Sequence, residues 1–110
     1  MTFAEKNSNG VFNGSTAVDV VGVPGSGVTR VIRNVSVYNA DNVAHTFTLI
    51  YNDNATLRNL PPFVLQAGEG ADYDTIQVLD ATTKKLQAKI EGAHTTTAPS
   101  FVATFGEVSP

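Results

Sequence analysis

The seven residues HTFTLIY, His45 to Tyr51, decide the fold class of this chain. Phe47, Leu49 and Tyr51 occupy every second position, and threonine or isoleucine lies between them. Successive side chains of a β-strand point to opposite faces, so a period of two indicates a strand with one face in a core. The stretch therefore predicts a strand whose Phe47, Leu49 and Tyr51 face the interior.

Two further stretches show the same alternation in the C-terminal part of the chain. Leu86, Ala88 and Ile90 alternate with lysine, glutamine and glutamate, and Phe101, Ala103 and Phe105 alternate with valine, threonine and glycine. Both patterns predict half-buried strands. We expect one core that contains the largest of these apolar residues, namely Phe47, Leu49, Leu86, Ile90, Phe101 and Phe105.

Four more segments complete a count of about seven strands: Val28 to Asn39, Thr16 to Val23, Phe63 to Ala67 and Tyr73 to Leu79. In the first of them the apolar residues change face between Ile32 and Val35, which predicts a β-bulge near Arg33-Asn34. A bend there would let one strand serve two sheets. Asp80 to Lys85 is the one candidate for a short helix, and it fits a loop equally well.

Composition and turn spacing agree with an all-β antiparallel fold. Valine, isoleucine and threonine, which favour pleated strands, account for 31 of the 110 residues. Turn-forming stretches such as Pro24 to Gly27, Asn39 to Asn42 and Asn52 to Asn54 recur at short intervals. This spacing is typical of a β-sandwich or β-barrel.

Length, charge and cysteine content exclude several classes of protein. A chain of 110 residues forms one domain and can hold a core of its own. It has no cysteine, so disulfide scaffolds, thiolate metal sites and cysteine nucleophiles are excluded. Seven basic against ten acidic residues argue against nucleic acid and anionic membranes as partners. Without an export signal in residues 1–15 or an apolar run long enough to span a bilayer, we expect a soluble protein made in the cytoplasm.

The first fifteen residues differ from the remainder, because isolated apolar residues lie among asparagines and glycines. We expect residues 1–15 to form an extended N-terminal arm and residues 16–110 to form the sandwich domain. Phe3, Val11 and Phe12 are the candidate interface residues, which would dock on a neighbouring subunit. A frayed terminus is the alternative interpretation.

No combination of residues indicates catalysis, a metal or a cofactor. His45 and His94 are far apart in the sequence and are expected to be solvated. Asp72 and Asp74 would share one face of a strand and could approach a cation, but solvated carboxylates explain them better. Tyrosines 38, 51 and 73 leave a carbohydrate-binding surface as an alternative, if two of them are exposed and co-planar.

The order of segments resembles that of small bacteriophage virion proteins. A Pro-Gly turn (Val23 to Gly27) precedes a long strand ending in asparagine (Val28 to Asn39), followed by HTFTLIY, by FVLQAG (Phe63 to Gly68) and by a closing pair of amphipathic strands. The similarity spans about Thr16 to Val108. It carries no functional residue over from the family.

This resemblance implies a jelly-roll or immunoglobulin-like sandwich that acts as a binding block and not as an enzyme. The expected function is that of a capsid decoration (cement) protein on the virion, assembled in the bacterial cytoplasm. Its partners would be the major capsid protein or other virion proteins. We expect a homo-oligomer, with a ring of three copies as the arrangement that suits a symmetric shell. A tail or fibre-associated domain and a carbohydrate-binding module are the alternatives.

Overall fold

Ten β-strands are found in the computed structural model, which describes residues 1–74 and 77–110. Those residues contain no helix, and so none that could cross a membrane. The strands are β1 (Thr2–Val11), β2 (Val18–Val21), β3 (Thr29–Tyr38), β4 (His45–Asp53), β5 (Thr56–Asn59), β6 (Phe63–Leu65), β7 (Gly70–Tyr73), β8 (Gln77–Leu79), β9 (Lys84–Ile90) and β10 (Ser100–Ser109).

The strands form two antiparallel sheets. In the first sheet the order is β1-β10-β3, and β7 and β8 both pair with the far side of β3. In the second sheet the order is β2-β9-β4, and β5 and β6 both pair with the far side of β4. The predicted antiparallel β-sandwich is confirmed.

The order of the strands identifies the type of sandwich. If β5 with β6 and β7 with β8 are each taken as one interrupted strand, each sheet has four strands. The chain then alternates between the sheets from β1 to β4, and its second half pairs with its first half in reverse order. This is the arrangement of a jelly roll, one of the two sandwich types expected from the resemblance.

All seven predicted strand segments contain strands, and the count rises to ten for two reasons. The pattern of the sequence does not indicate β1 or β5, since the four residues of β5, for example, are all exposed and show no alternation. It also predicted one strand over Tyr73 to Leu79, where the structure has the end of β7 and then β8. Residues 75 and 76 of that prediction lie outside the described ranges. Asp80 to Lys85 forms a turn that leads into β9, not a helix.

The predicted bulge in β3 is confirmed. Asn34 pairs with Thr104 and Ile32 pairs with Phe105, so Arg33 is an additional residue without a counterpart on β10. The predicted consequence of the bulge does not occur. The strand stays in the first sheet, where it pairs with β8 before the bulge and with β7 after it.

The core between the sheets contains every residue predicted for it: Phe47, Leu49, Leu86, Ile90, Phe101 and Phe105 are all buried. It also contains Phe12, whose ring meets those of Phe47 and Phe101 edge to face at centroid distances of 5.2 and 5.7 Å. Such aromatic pairs add stabilisation beyond the burial of their area. Phe12 is therefore a central core residue.

The N-terminal segment does not project as an arm from the sandwich in this structure. From Thr2 to Val11 it pairs residue by residue with β10 as an edge strand of the first sheet. The inward-facing residues of β1 are small or polar, for example Ala4, Ser8 and Gly10, so no apolar alternation indicates a strand here. A Cβ at Gly10 would lie 3.0 Å from the Phe101 ring, so the core itself requires a small residue there.

Candidate functional site

A cluster of two carboxylates and a histidine lies at one end of the sandwich, with Asp41 and His45 buried and the Glu91 side chain 47% exposed. Asp41 is in the loop before β4, His45 is the first residue of β4, and Glu91 directly follows β9. His45 Nε2 lies 2.6 Å from Asp41 Oδ2, and His45 Nδ1 lies 2.8 Å from Glu91 Oε2. His45 and Asp41 are only 4% and 3% exposed. The prediction that His45 is solvated is wrong, whereas His94 is exposed as predicted.

The loop between β9 and β10 closes the cluster around Asp41. The backbone N–H groups of Thr95 and Thr96 donate hydrogen bonds of 2.8 and 2.9 Å to this carboxylate, and both threonine hydroxyls donate as well. Asn39 donates from its side-chain amide to the carbonyl groups of Val43 and Leu65. The cluster and Asn39 thus connect the β3–β4 loop, the end of β6 and the β9–β10 loop, which lie far apart in the sequence.

Hydrogen bonding within the cluster favours its charged forms. Burial opposes the charge of His45, but the hydrogen bonds and negative charges of Asp41 and Glu91 outweigh it and raise the pKa of His45 above 6.5. Burial likewise opposes ionisation of both carboxyls, yet their hydrogen bonds with His45 and with backbone N–H groups lower the pKa of Asp41 and of Glu91. The cluster is an imidazolium held between two carboxylates.

These pKa changes make the stability of the fold depend on pH. The charge on His45 stabilises fully below its unfolded-state pKa of 6.5, and the contribution is lost as the pH rises through the higher folded-state value. Asp41 and Glu91 contribute above their unfolded values of 3.8 and 4.5, and lose the contribution as the pH falls through their lowered folded values. The whole cluster is most stabilising between about pH 4.5 and 6.5.

The geometry of the cluster does not suit catalysis. Both ring nitrogens of His45 face carboxylates, so neither is available to take a proton from a nucleophile. The Thr95 hydroxyl donates to Asp41 and not to the imidazole. In the described part of the chain no buried side-chain nitrogen or oxygen lacks a hydrogen-bond partner. The polar groups of the cluster are paired with one another, and their hydrogen bonds hold the surrounding loops together.

A different feature is the outer face of the first sheet, the side turned away from the core. Of the ten large hydrophobic side chains that are exposed in residues 1–74 and 77–110, five lie on this face. They are Phe3, Val11, Tyr38, Val78 and Val102, between 43% and 59% exposed. Aligned apolar residues on one face mark interaction surfaces more often than scattered ones do.

The register of the sheet gathers these residues into two clusters at opposite ends of the face. The Val11 cluster consists of Val11, Tyr38 and Val102 around Ser100, since Val11 and Tyr38 both pair with Ser100. The Phe3 cluster consists of Phe3, Val108, Val31 and Val78 around Gly106. A Cβ at Gly106 would lie 2.9 Å from the Phe3 ring, so this glycine lets the ring lie flat on the sheet.

The outer face of the second sheet is more polar. Lysines and polar side chains cover most of it, with Leu57 and Val64 as its exposed large hydrophobic residues, and Gln87 connects Asn52 and Asp19 through hydrogen bonds of 2.8 and 2.9 Å. Lys85 lies 3.5 Å from the same Asp19 carboxylate. Such a face suits contact with water, so the first sheet is the better candidate for a binding surface.

The predicted interface residues fall in two different environments. Phe3 and Val11 lie on the outer face of the first sheet, at 54% and 59% exposure, and their role as interface residues stays a prediction. Phe12 is 2% exposed in the core of its own chain and offers no surface to a partner. Val102 and Tyr38 lie on the same face but were not among the predicted interface residues, and Tyr38 was considered only for carbohydrate binding. Val102 could have been found, because it places a large apolar side chain on the outward face of an alternating strand.

Three of the residues considered for carbohydrate or cation binding, Tyr51, Tyr73 and Asp72, have partners within the chain. Of the three tyrosines only Tyr38 is exposed, since Tyr51 donates its hydroxyl to the Val78 carbonyl and Tyr73 packs against Phe63. Asp72 accepts a hydrogen bond from Ser36. No group of three metal-ligating side chains is found in residues 1–74 and 77–110.

Comparisons with known proteins reach the fold but not a family. No protein-family model matches the sequence, and no curated protein matches it. A structure of Bacillus endospore appendages, described as a novel family of disulfide-linked pili, matches with a TM-score of 0.54 at 9% identity, over 96% of this chain and 84% of that chain. Identity this low shows a shared fold alone.

Two virus particles give weaker structural matches. The virus-like particle of the extra small virus of the prawn Macrobrachium rosenbergii matches with a TM-score of 0.48 at 13% identity, over 100% of this chain and 82% of that chain. A chain of the cyanophage Pam1 capsid matches with a TM-score of 0.43 at 14% identity, over 98% of this chain and 82% of that chain.

Proposed function

We propose that this chain is a non-enzymatic structural protein of a bacteriophage virion, and specifically a capsid decoration protein that binds the assembled head. The observation that carries the proposal is the outer face of the first sheet, with its two exposed apolar clusters. This face would contact the major capsid protein, while the polar face of the second sheet points to solvent.

The chemistry of the two faces supports this orientation. Protein interfaces bury apolar and aromatic groups at their centre and leave charged groups at the rim. Tyr38 and Val102 adjoin the uncharged Ser36 and Ser100, and the nearby Asp72 carboxylate already accepts a hydrogen bond from Ser36, which limits the desolvation of charge on docking. The lysines of the second sheet would carry a much larger desolvation cost if that face were buried.

The absence of an open catalytic group in the described residues fits the same role. The positive charge of the one buried histidine, His45, is balanced by two carboxylates, and the residue holds loops in place. A sandwich whose loops are fixed in this way is a rigid block, and a rigid surface loses little conformational entropy when it binds. Jelly rolls serve as such blocks in viral capsids, although the fold alone does not establish the function.

The test is quantitative binding of the full chain to purified heads of the phage that encodes it. We expect saturable binding in a fixed ratio to the major capsid protein, and weakening by about tenfold or more for Val102→Lys, since a charge would enter the interface. Leu57→Lys is the matched control, because Leu57 is 54% exposed on β5 of the second sheet. Binding to tails but not heads, binding to glycans alone, or equal loss for both variants would contradict the proposal.

A further inference from the structure

We infer that the edge of β1 is a self-association site, at which two copies of the chain join their first sheets through antiparallel β1–β1 pairing with Asn7 on the twofold axis. The inference rests on the shape and sequence of this strand. It holds or fails independently of the proposed function, because it concerns the chain with a second copy of itself.

The strand has the features of an open pairing edge. It is ten residues long, contains no proline, and pairs with β10 at every position without a bulge. No other strand of residues 1–74 and 77–110 pairs with it, so its second edge carries a row of backbone N–H and C=O groups without strand partners. Edges of this length and regularity are templates for another strand.

One feature of this strand discourages pairing with another strand, but an ion pair within the chain weakens its effect. Lys6 is a charged residue on the inward side of β1, and inward charges normally discourage pairing at an edge. Its Nζ lies 3.2 Å from Glu107 Oε1, and Glu107 also accepts a hydrogen bond of 2.9 Å from Arg30. Lys6 therefore already has an ion-pair partner within its own chain, which it shares with Arg30.

Symmetry restricts how two such edges can meet. A twofold axis perpendicular to the sheet keeps the outer faces of both copies on one side, so residues opposite each other must face the same way. On β1 the odd-numbered residues from Phe3 to Val11 face outward and the even-numbered ones face inward. In every opposed pair, the two residue numbers must therefore have an even sum, and this sum defines the register.

Among the even sums, a sum of fourteen gives a self-complementary register. Phe3 then lies opposite Val11 of the second copy at both ends of the interface, and Asn7 lies opposite its own equivalent. Glu5 faces Asn9, and Lys6 faces Ser8, so no like charges are opposed. Cross-strand apolar pairs and paired amides are favourable contacts in antiparallel sheets.

The neighbouring registers are worse. A sum of twelve places Lys6 opposite Lys6 of the second copy, and a sum of ten places Glu5 opposite Glu5. Like charges directly opposite each other destabilise a sheet. A sum of sixteen places Glu5 opposite Val11 and leaves Phe3 without an apolar counterpart. Only the register through Asn7 pairs the two exposed apolar residues of the strand.

This pairing also unites the apolar surface of the outer face. The Phe3 cluster of one copy comes to lie beside the Val11 cluster of the other, at both ends of the shared edge. Two separate clusters on each copy thereby become two larger patches on one continuous sheet. The favoured occupant of the edge is accordingly a second copy and not an unrelated strand.

Cysteine cross-linking tests the register directly, because the natural chain has no cysteine. Opposed residues of antiparallel strands have Cα atoms about 4.5–5.5 Å apart, within the range that a disulfide spans. We expect Asn7→Cys to form a covalent dimer under mild oxidation. Glu5→Cys and Asn9→Cys alone should each form no disulfide-linked dimer, since equivalent residues are offset by about 13 Å along the strand. An equal mixture of these two variants should form the mixed dimer.

Sedimentation of the full chain over a range of concentrations tests the association itself. We expect a reversible dimer that F3K/V11K weakens by about tenfold or more, since two apolar pairs are replaced by two like-charge pairs. F3K/V11E should recover the dimer, because it places opposite charges across the same register. A monomer at all concentrations, a trimer, cross-links that follow another register, or equal effects of the two double variants would each overturn the inference.

Discussion

Phe12 and Phe3 lie in the same N-terminal segment but should respond very differently to truncation. Phe12 is 2% exposed and packs edge to face against two core rings, whereas Phe3 is 54% exposed on the outer face of the first sheet. Burial of about 150 Å² of aromatic side chain contributes about 4 kcal/mol at 25 cal/mol per Å². Truncation also leaves a cavity, and buried Phe→Ala changes cost about 3–5 kcal/mol in practice.

We therefore expect Phe12→Ala to lower the free energy of unfolding by about 3–5 kcal/mol. Phe3→Ala should change it by less than about 0.5 kcal/mol, as for other surface substitutions. Urea titration followed by circular dichroism at low micromolar protein measures both values, and an unchanged slope would show that the unfolding reaction is the same. Equal costs for the two variants would refute the assignment of Phe12 to the core and favour the detached arm.

Three further predictions concern the polar cluster, the core and metals. Between pH 6.5 and 9 the melting midpoint should fall more steeply for the wild type and for His94→Gln than for His45→Gln, because the raised folded-state pKa of His45 makes the stabilisation by its charge disappear as the pH rises; parallel pH profiles would contradict this. Leu49→Ala should cost about 2–5 kcal/mol in urea unfolding, and a cost below 1 kcal/mol would place Leu49 outside the core. EDTA should leave the melting midpoint unchanged, and a drop of several degrees would make Asp72 and Asp74 metal ligands.

The sequence predicted the parts of the fold in which alternation is strong. The strands around Leu49, Leu86 and Phe105 each bury one face against the core, so their apolar residues recur at every second position. The bulge could also be predicted, since the additional Arg33 changes the face on which the following valines lie. These features are local, and local patterns are visible in a single sequence.

The parts that escaped prediction depend on partners that are distant in the sequence. Strand β1 turns small and polar residues inward, and only its pairing with β10 shows that it is a strand. His45 lies in phase with Phe47 and Leu49, so the alternation places it on the inward face, but its polar partners, Glu91 and the loop that contains Thr95, are distant in the sequence. A histidine's environment of this kind is fixed by tertiary contacts, which spacing in the sequence does not encode.

The central claim, that the outer face of the first sheet binds the virion, is tested most directly by hydroxyl-radical footprinting of the free and particle-bound chain. Tyr38 and Val102 report on the claimed face, and Leu57 and Val64, both exposed on the second sheet, report on the other. We predict that Tyr38 and Val102 lose most of their modification on particles while Leu57 and Val64 keep theirs. Protection of Leu57 and Val64 with Tyr38 and Val102 still modified would contradict the account.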